Sequence, residues 1–479
     1  MLNRREWILS AVGPALAQTR GSKPPNILFM MADDHASHAI SAYGSRINQT
    51  PNIDRIAKGG MRFDNCFCTN SICTPSRAAI LTGQYSHKNG VYTLDDAIDP
   101  KKTHVAHLLR DVGYSTAMIG KWHLQTEPQG FDHWNILPGQ GAYYDPVFIS
   151  PHGRKKHTGY CTDLIADFSL DFLRTRDKTK PFFLMSHHKA PHRAWQPSPK
   201  YKTWLDNQNV PEPFSLYEDI GKRSQAAQRA TNRVGDDMTE TDLKVPRPEQ
   251  LKGDALRRWA YQLYIKDYLR CIRSVDDNVG RMLDYLDSEG LADNTVVVYT
   301  SDQGFFLGDH GWFDKRFMYE ESLRMPFLIR YPERIKPGFV NRDIALNIDF
   351  APTFLELAGL KTPEWMQGRS FTPLLSGRTP RDWRKSMYYR YWMHLGGGHT
   401  VTAHYGVRTL RHKLIYYYGQ ALGKKGAVDQ PTLPEWELFD LEKDPHEMKS
   451  VYNDPAYSKI AAGLKAELAR LRNHYDDRE

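Results

Sequence analysis

Cys73-Thr74-Pro75-Ser76-Arg77 sets a thiol, a proline and a guanidinium within five residues, at the head of an apolar, alanine-containing run. Proline suits the first turn of a helix, where its missing N–H would have had no partner. A thiol at that end of a helix feels about half a positive charge, which favours an anionic or polarised group. A structural cysteine needs neither neighbour, so the spacing points to a reactive one. Two cysteine chemistries are excluded. There is no Cys-x-x-Cys pair, and Ala79 stands where a Cys-x5-Arg phosphatase loop requires arginine. Five cysteines in 479 residues are too few for a disulfide scaffold.

Asp33-Asp34 and Asp302-Gln303 offer only oxygen, and adjacent acids stay ionised together only when a cation lies between them. Hard oxygen donors suit Ca²⁺ or Mg²⁺, whereas zinc calls for histidine or cysteine. The nearby His35 and His38 are read as loop residues rather than ligands. Arg77, Lys121 and Lys315 supply fixed positive charge for a tetrahedral oxyanion. His123 and His192 titrate near neutrality and can move protons. His188 and His87 are read as structural or rim residues. Together these groups describe a metal-assisted hydrolase of a sulfate or phosphate ester.

The elements that must position these groups are strands. Residues 26–35, 114–123, 181–192, 295–304 and 325–332 are apolar runs alternating with helical patterns at 50–60, 105–113 and 262–288. That alternation predicts an α/β fold, a large and mostly parallel mixed sheet flanked by helices. Thr50 is expected to cap its helix, with Pro51 in the first turn. Four of the strands end in Asp33-Asp34, in Lys121 and His123, in His188 and His192, and in Asp302-Gln303. Carboxyl ends of neighbouring parallel strands face one crevice, where ligands bind. A polar, proline-punctuated stretch at 196–250 is expected to be a lid or a substrate-binding insertion. From residue 383 the pattern changes to antiparallel strands and a terminal helix, which predicts a catalytic domain over 23–382 and a smaller α+β domain over 383–479.

The formal charge of +8 is spread along the chain, consistent with solubility and with a cleft that attracts anions. No helix-turn-helix, zinc-finger or RNA-binding signature is present, which excludes nucleic acid as the expected partner. No run approaches the roughly 18 apolar residues of a membrane span. Arg4-Arg5, a short apolar segment and Ala15-Leu16-Ala17 resemble a twin-arginine export signal over residues 1–22, which predicts a periplasmic or extracellular protein.

The stretch from Cys73 to Gly83 resembles the signature of the formylglycine-dependent sulfatases of the alkaline phosphatase superfamily, in which Cys-x-Pro-x-Arg directs oxidation of the cysteine to an aldehyde. The resemblance extends from residue 26 through the Gly-Lys-Trp-His at 120–123, the Ala-Pro-His at 190–192 and the Ser-Asp-Gln-Gly at 301–304 to the C-terminal run at 435–454. It implies that Asp33, Asp34, Asp302 and Gln303 are calcium ligands, together with modified Cys73, with Mg²⁺ the lesser expectation. Gln303 departs from the Asn or His common at that position but keeps an amide oxygen. It also implies that Arg77, Lys121, His123, His192 and Lys315 surround the sulfate. Asp302 takes a proton from the nucleophile, His192 with Lys315 protonates the leaving alcohol, and His123 assists release of sulfate. A formylglycine-generating or other sulfatase-maturing enzyme is then a required partner.

Residues 304–332 resemble the subgroup that desulfates sugars, N-acetylglucosamine-6-sulfatases among them, which implies a sulfated mucin or glycosaminoglycan fragment as substrate. Asp309 and His310 are expected to meet sugar hydroxyls, and Trp195 either stacks on a sugar face or packs under the insertion. Three alternatives stay open: a phosphodiesterase or phosphonate monoester hydrolase of the same superfamily, a non-catalytic binder of sulfated polysaccharide, and an enzyme that uses Cys73 as a plain thiol.

Overall fold

Every residue of Asn26–Ala32 (β1) is buried, because a strand covered on both faces has no solvent side with which to alternate. The computed structural model describes residues 23–479, and the expected export segment at 1–22 lies outside the described residues. β1 sits inside a ten-stranded mixed sheet. The other members are Met61–Phe63 (β2), Ser115–Lys121 (β3), His133–Leu137 (β4), Val147–Ser150 (β5), Gly153–Lys156 (β6), Phe182–His187 (β7), Thr295–Ser301 (β8), Phe327–Arg330 (β9) and Phe339–Asn341 (β10). Across the sheet the order is β10-β2-β9-β8-β1-β7-β3-β4-β5-β6. The central strands β8, β1, β7, β3 and β4 run parallel. β9 is antiparallel to its neighbours, and β5 and β6 form an antiparallel hairpin at the far edge.

The main helices are Pro51–Lys58 (α1), Cys73–Thr82 (α2), Val105–Asp111 (α3), Cys161–Thr175 (α4), Gly253–Ser288 (α5) and Phe350–Leu357 (α6). Successive strand residues point to opposite faces. Accordingly Ile27, Phe29 and Met31 pack with α2, α3 and α6, while Leu28 and Met30 pack with α1, α4 and α5. α1 begins at Pro51 as expected, but Thr50 does not cap it. Its hydroxyl meets Ser41 Oγ at 3.0 Å and Asp54 at 3.3 Å instead. α5 starts at Gly253, ahead of the expected residue 262.

A four-stranded antiparallel sheet comes next, made of Ser386–Tyr391 (β11), His404–Thr409 (β12), His412–Tyr417 (β13) and Glu435–Asp440 (β14), with the helix Ser458–His474 (α7) packed on it. A buried ionic network joins this sheet to the loops after β8. Glu320 meets Arg408 at 3.1 Å and Lys413 at 2.9 Å, and Lys413 meets Glu447 at 2.7 Å. His310 donates to Glu218 at 2.7 Å, and Arg223 donates to the Glu447 carbonyl at 2.8 Å.

Residues 196–250, expected as a lid or a substrate-binding insertion, form a strap. Val210 is tied to Gln262 of α5, and Gln225 and Ala226 donate to Glu435 of β14. Asn232 accepts from the Phe313 amide at 2.8 Å, and Asp242 receives both Nε and Nη2 of Arg193 at 2.5 Å. The strap thereby ties α5 and the loops at Arg193 and Phe313 to the four-stranded sheet.

Candidate active site

α2 opens at Cys73 with no side chain capping its first turn, so its leading N–H groups are free for whatever occupies the crevice. The thiol is 1% exposed. Its sulfur lies 3.4 Å from Asp33 Oδ1, 3.9 Å from Lys121 Nζ and 3.9 Å from Gln303 Nε2. Asp33 and Asp34 come just after β1, Lys121 ends β3 and Asp302 comes just after β8, so the carboxyl ends of three parallel strands deliver them to one place. Asp34 has φ 66° and His123 φ 55°. These left-handed turns bend the chain sharply just past the strand ends, a strain found where function requires it.

Arg77 organises the floor. Its Nε donates to Asp302 Oδ2 at 3.0 Å, its Nη2 lies 2.9 Å from the same oxygen and 3.7 Å from Asp33 in ion pairs, and its Nη1 donates to the Lys121 carbonyl. Ser76 Oγ donates to the Asp302 carbonyl while accepting from Asn347 at 2.9 Å. Lys121 pairs with Asp33 and donates to Gln140 at 2.5 Å. Lys315 pairs with Asp34 at 2.6 Å. His192 Nδ1 donates to the Arg193 carbonyl at 2.7 Å, which leaves Nε2 as the basic nitrogen, 3.7 Å from Asp34.

Oxygens of Asp33, Asp34 and Asp302 lie within 4.8 Å of one another. Burial alone would raise Asp33, but Lys121, His192 and Arg77 overcome it and hold the carboxyl well below its usual range. Burial pushes Asp34 up to about 6 and, helped by Asp33, pushes Asp302 up to about 7. Burial and the Asp33 charge push the Cys73 thiol up to about 12. The surrounding acids and burial therefore outweigh the helix N-terminus, which would lower it. Burial and Lys121 lower His123 to about 2 and hold His192 well below the ordinary imidazole range.

The donor set fits a hard cation. Three carboxylates converge, and the buried Gln303 Oε1 has no hydrogen-bond partner while its Nε2 donates to Asp34. Turning the amide over would aim its oxygen at the acids, as a cation there requires.

A cavity of ≈ 140 Å³ opens beside Cys73, lined by Asp34, His192 and Lys315 among others. The same wall carries Gln140, Arg193, Asp314, Arg316 and His399, which the sequence reading missed. Asp314 and Arg316 flank Lys315, a run of three charges among aromatics that could have drawn notice. His399 comes directly after Gly396-Gly397-Gly398, and positive φ at Gly397 and Gly398 is the turn that brings it in.

Asp309 and His310 do not reach this cavity. His310 is sealed against Glu218, and Asp309 faces His38 at 3.3 Å on a separate cleft lined by Arg46 and Phe214. Trp195 is wholly buried against Tyr264 and Phe313, so it packs and does not stack on a ligand. His35 meets the Tyr299 hydroxyl at 2.7 Å, and His188 is buried behind β1, its amide donating to Met31. His87 donates to the Tyr475 carbonyl under α7.

An acid cluster for a cation, a polarised residue at a helix N-terminus and three fixed cations define a hydrolase of oxyanion esters. Residues 25–360 match the sulfatase family model, and residues 308–474 match the C-terminal model of N-sulphoglucosamine sulphohydrolase. The chain belongs to the sulfatase family and is a sulfuric ester hydrolase. It is 43% identical to an N-acetylglucosamine-6-O-sulfatase of Bacteroides thetaiotaomicron, over 98% of this chain and 90% of that one. The N-acetylglucosamine-6-sulfatase of Capra hircus is 31% identical, over 80% and 68%. A solved protein in complex with its substrate D-glucosamine-2-N,6-O-disulfate superposes with a TM-score of 0.90 at 44% identity, covering 95% of this chain and 99% of that one.

Proposed function

We propose that this sulfatase removes a 6-O-sulfate from an N-acetylglucosamine or glucosamine unit of a sulfated glycan, using formylglycine made from Cys73 and a calcium ion. The observation that carries the reading is the placement of Cys73 at the head of α2, between Asp33, Lys121 and Gln303. As encoded, its thiol is held near 12 and is not a thiolate at neutral pH, which argues against plain thiol chemistry. Hydrated formylglycine supplies two hydroxyls on one carbon, and Ca²⁺ held by Asp33, Asp34, Asp302 and Gln303 supplies Lewis-acid charge.

The chain's own residues do the remainder. Arg77, Lys121 and Lys315 hold the sulfate oxygens and offset charge that develops on them. Asp302, beside Arg77 at the floor, is a proton acceptor. His192, its Nδ1 held by the Arg193 carbonyl, turns a basic Nε2 toward the leaving sugar oxygen, and Lys315, charged beside Asp34, brings the proton that this pair delivers. His123, kept neutral by burial, is a second acceptor. Asp314, Arg316 and His399 line the same cavity, where a carboxylate, a guanidinium and an imidazole suit the hydroxyl groups of a sugar. The names of the 43% and 44% identical relatives support glucosamine over other sugars. We further propose export through the Arg4-Arg5 signal and maturation by a formylglycine-generating or similar enzyme.

The test is coexpression with such an enzyme, mass measurement of the tryptic peptide at 63–77, and turnover of N-acetylglucosamine-6-sulfate. Loss of sulfur with a gained carbonyl, and turnover that calcium restores after chelation, support the reading. An intact thiol in active protein defeats the formylglycine mechanism. Faster cleavage of aryl phosphonate than of any sulfate defeats the substrate assignment.

A further inference from the structure

The sequence His152-Gly153-Arg154-Lys155-Lys156-His157 has no part in the crevice. It forms β6, the last strand of the large sheet, and every residue of β6 is exposed. Among the described residues, Arg154, Lys155 and Lys156 make no ion pair or side-chain hydrogen bond. Below them lies a groove of ≈ 540 Å³ lined by Arg154, Lys155 and the imidazoles of His133, His152 and His157. Its floor adds Trp134, Phe168 and two carboxylates, Asp132 and Asp171. Asp132 is already engaged by Thr116, which donates its amide at 3.0 Å and its hydroxyl at 3.2 Å.

We propose that this edge groove is a second binding site for a sulfated polysaccharide, which holds the polymer while its sugar units are desulfated in the crevice. Short runs of Lys and Arg on a surface attract polyanions of the heparin kind. Charged residues on an edge strand also guard against edge-to-edge pairing, but that guard accounts for neither the groove nor the three imidazoles in it. The floor separates a glycan from other polyanions. Sulfates suit the cationic rim, whereas Asp171 and the aromatic rings suit hydroxyls and the apolar faces of sugars. His133 of β4 pairs with Ala117 of β3, four residues before Lys121. His133 therefore lies about 13 Å along the strands from Lys121, and Lys155, level with Lys121, lies three strand spacings or about 14 Å across the sheet, both beyond the reach of a single sugar bound at Cys73.

The inference rests on the proposed function only for the identity of the polymer, and its test needs no turnover. The probe is full-length heparin, titrated against the whole protein and against R154E/K155E/K156E over a range of salt. The expected result is a loss of about tenfold or more in heparin affinity and a flatter salt dependence, with turnover of a monosaccharide sulfate and the thermal midpoint unchanged. R154A/K155A/K156A, which adds no negative charge, loses affinity in the same direction. Unchanged heparin affinity overturns the proposal. So does tighter binding of phosphatidylserine vesicles or of duplex DNA than of heparin, with the same dependence on the three cations. Failure of monosaccharide turnover with heparin binding intact counts against the proposed function alone.

Discussion

Two buried clusters of charge lie close together in this molecule and are built on opposite plans. At the junction of the sheets, signs alternate: Glu320 sits between Arg408 and Lys413, and Lys413 sits between Glu320 and Glu447. In the crevice, Asp33, Asp34 and Asp302 crowd within 4.8 Å, beside a thiol and a cavity. Each cluster has an acid that burial raises to about 7, Glu447 in one and Asp302 in the other. Glu447 is sealed with Lys413 at 2.7 Å and Asp302 is paired with Arg77 at 2.9 Å, but Asp302 also faces the other two acids. Like charges left together in a dry site are held there at a cost in stability, and enzymes accept that cost where charge must change hands. Alternating charges, each paired with its opposite, hold the two layers in register.

Substitutions that strike only one cluster sharpen this contrast. Cys73→Ala is expected to lower turnover of a sugar sulfate by about 10⁴-fold or more, with unfolding free energy within about 1 kcal/mol of wild type, as read by denaturant titration. Lys413→Met leaves Glu320 and Glu447 short of a buried partner and is expected to cost about 3–5 kcal/mol of stability. Its kcat per folded molecule stays near wild type. Equal loss of both quantities in either variant would erase the distinction.

His310 tests the junction by pH. Burial lowers an imidazole, but Glu218 and Glu321 overcome it and raise His310 to about 9. A base raised on folding adds stability that is complete below its unfolded value near 6.5 and disappears as pH climbs through 9. His310→Gln should therefore cost about 1–3 kcal/mol at pH 6, with the gap to wild type closing above pH 9 in chemical denaturation. Crevice activity at pH 6 should change little. The smallest effect is expected at Asn232, whose Nδ2 donates to Asp314 at 3.1 Å and also meets His399. Asn232→Ala should raise KM for a sugar sulfate by about 5–10-fold, the net worth of one ordinary hydrogen bond, and leave turnover of a small aryl sulfate unchanged.

The crevice was largely legible in the sequence because strands buried on both faces announce themselves as apolar runs, and the residues just past their carboxyl ends must lie at one end of the sheet. Asp33, Lys121, His192 and Asp302 were found that way. The strands 26–32, 115–121, 182–187 and 295–301 fall within the expected runs. The far wall was not legible. Asp314, Arg316 and His399 come from loops, and His399 joins the 313–316 segment through Asp314 at 3.5 Å and through Asn232 of the strap. Asp309 and His310 show the converse error. Polar residues just past a strand end suggest a ligand, yet an αL turn at His310 (φ 57°) swings the imidazole into the junction. Periodicity carries no information about such a turn. The strap itself is turns, 3₁₀ segments and two α-helices of four and five residues, too short for an apolar period to show, and its partners are distant in sequence.

The position of β1 between β7 and β8 has a consequence in time. The crevice around Cys73 is walled only when Asp302, at the end of β8, is in place, and that residue leaves the ribosome about 230 residues after Cys73. At roughly 5–20 residues per second, the thiol spends about 10–50 seconds on a growing chain whose walls do not yet exist. In the finished fold it is 1% exposed. The maturing enzyme proposed above would thus be in a race with translation, and the sheet order would set the length of the course.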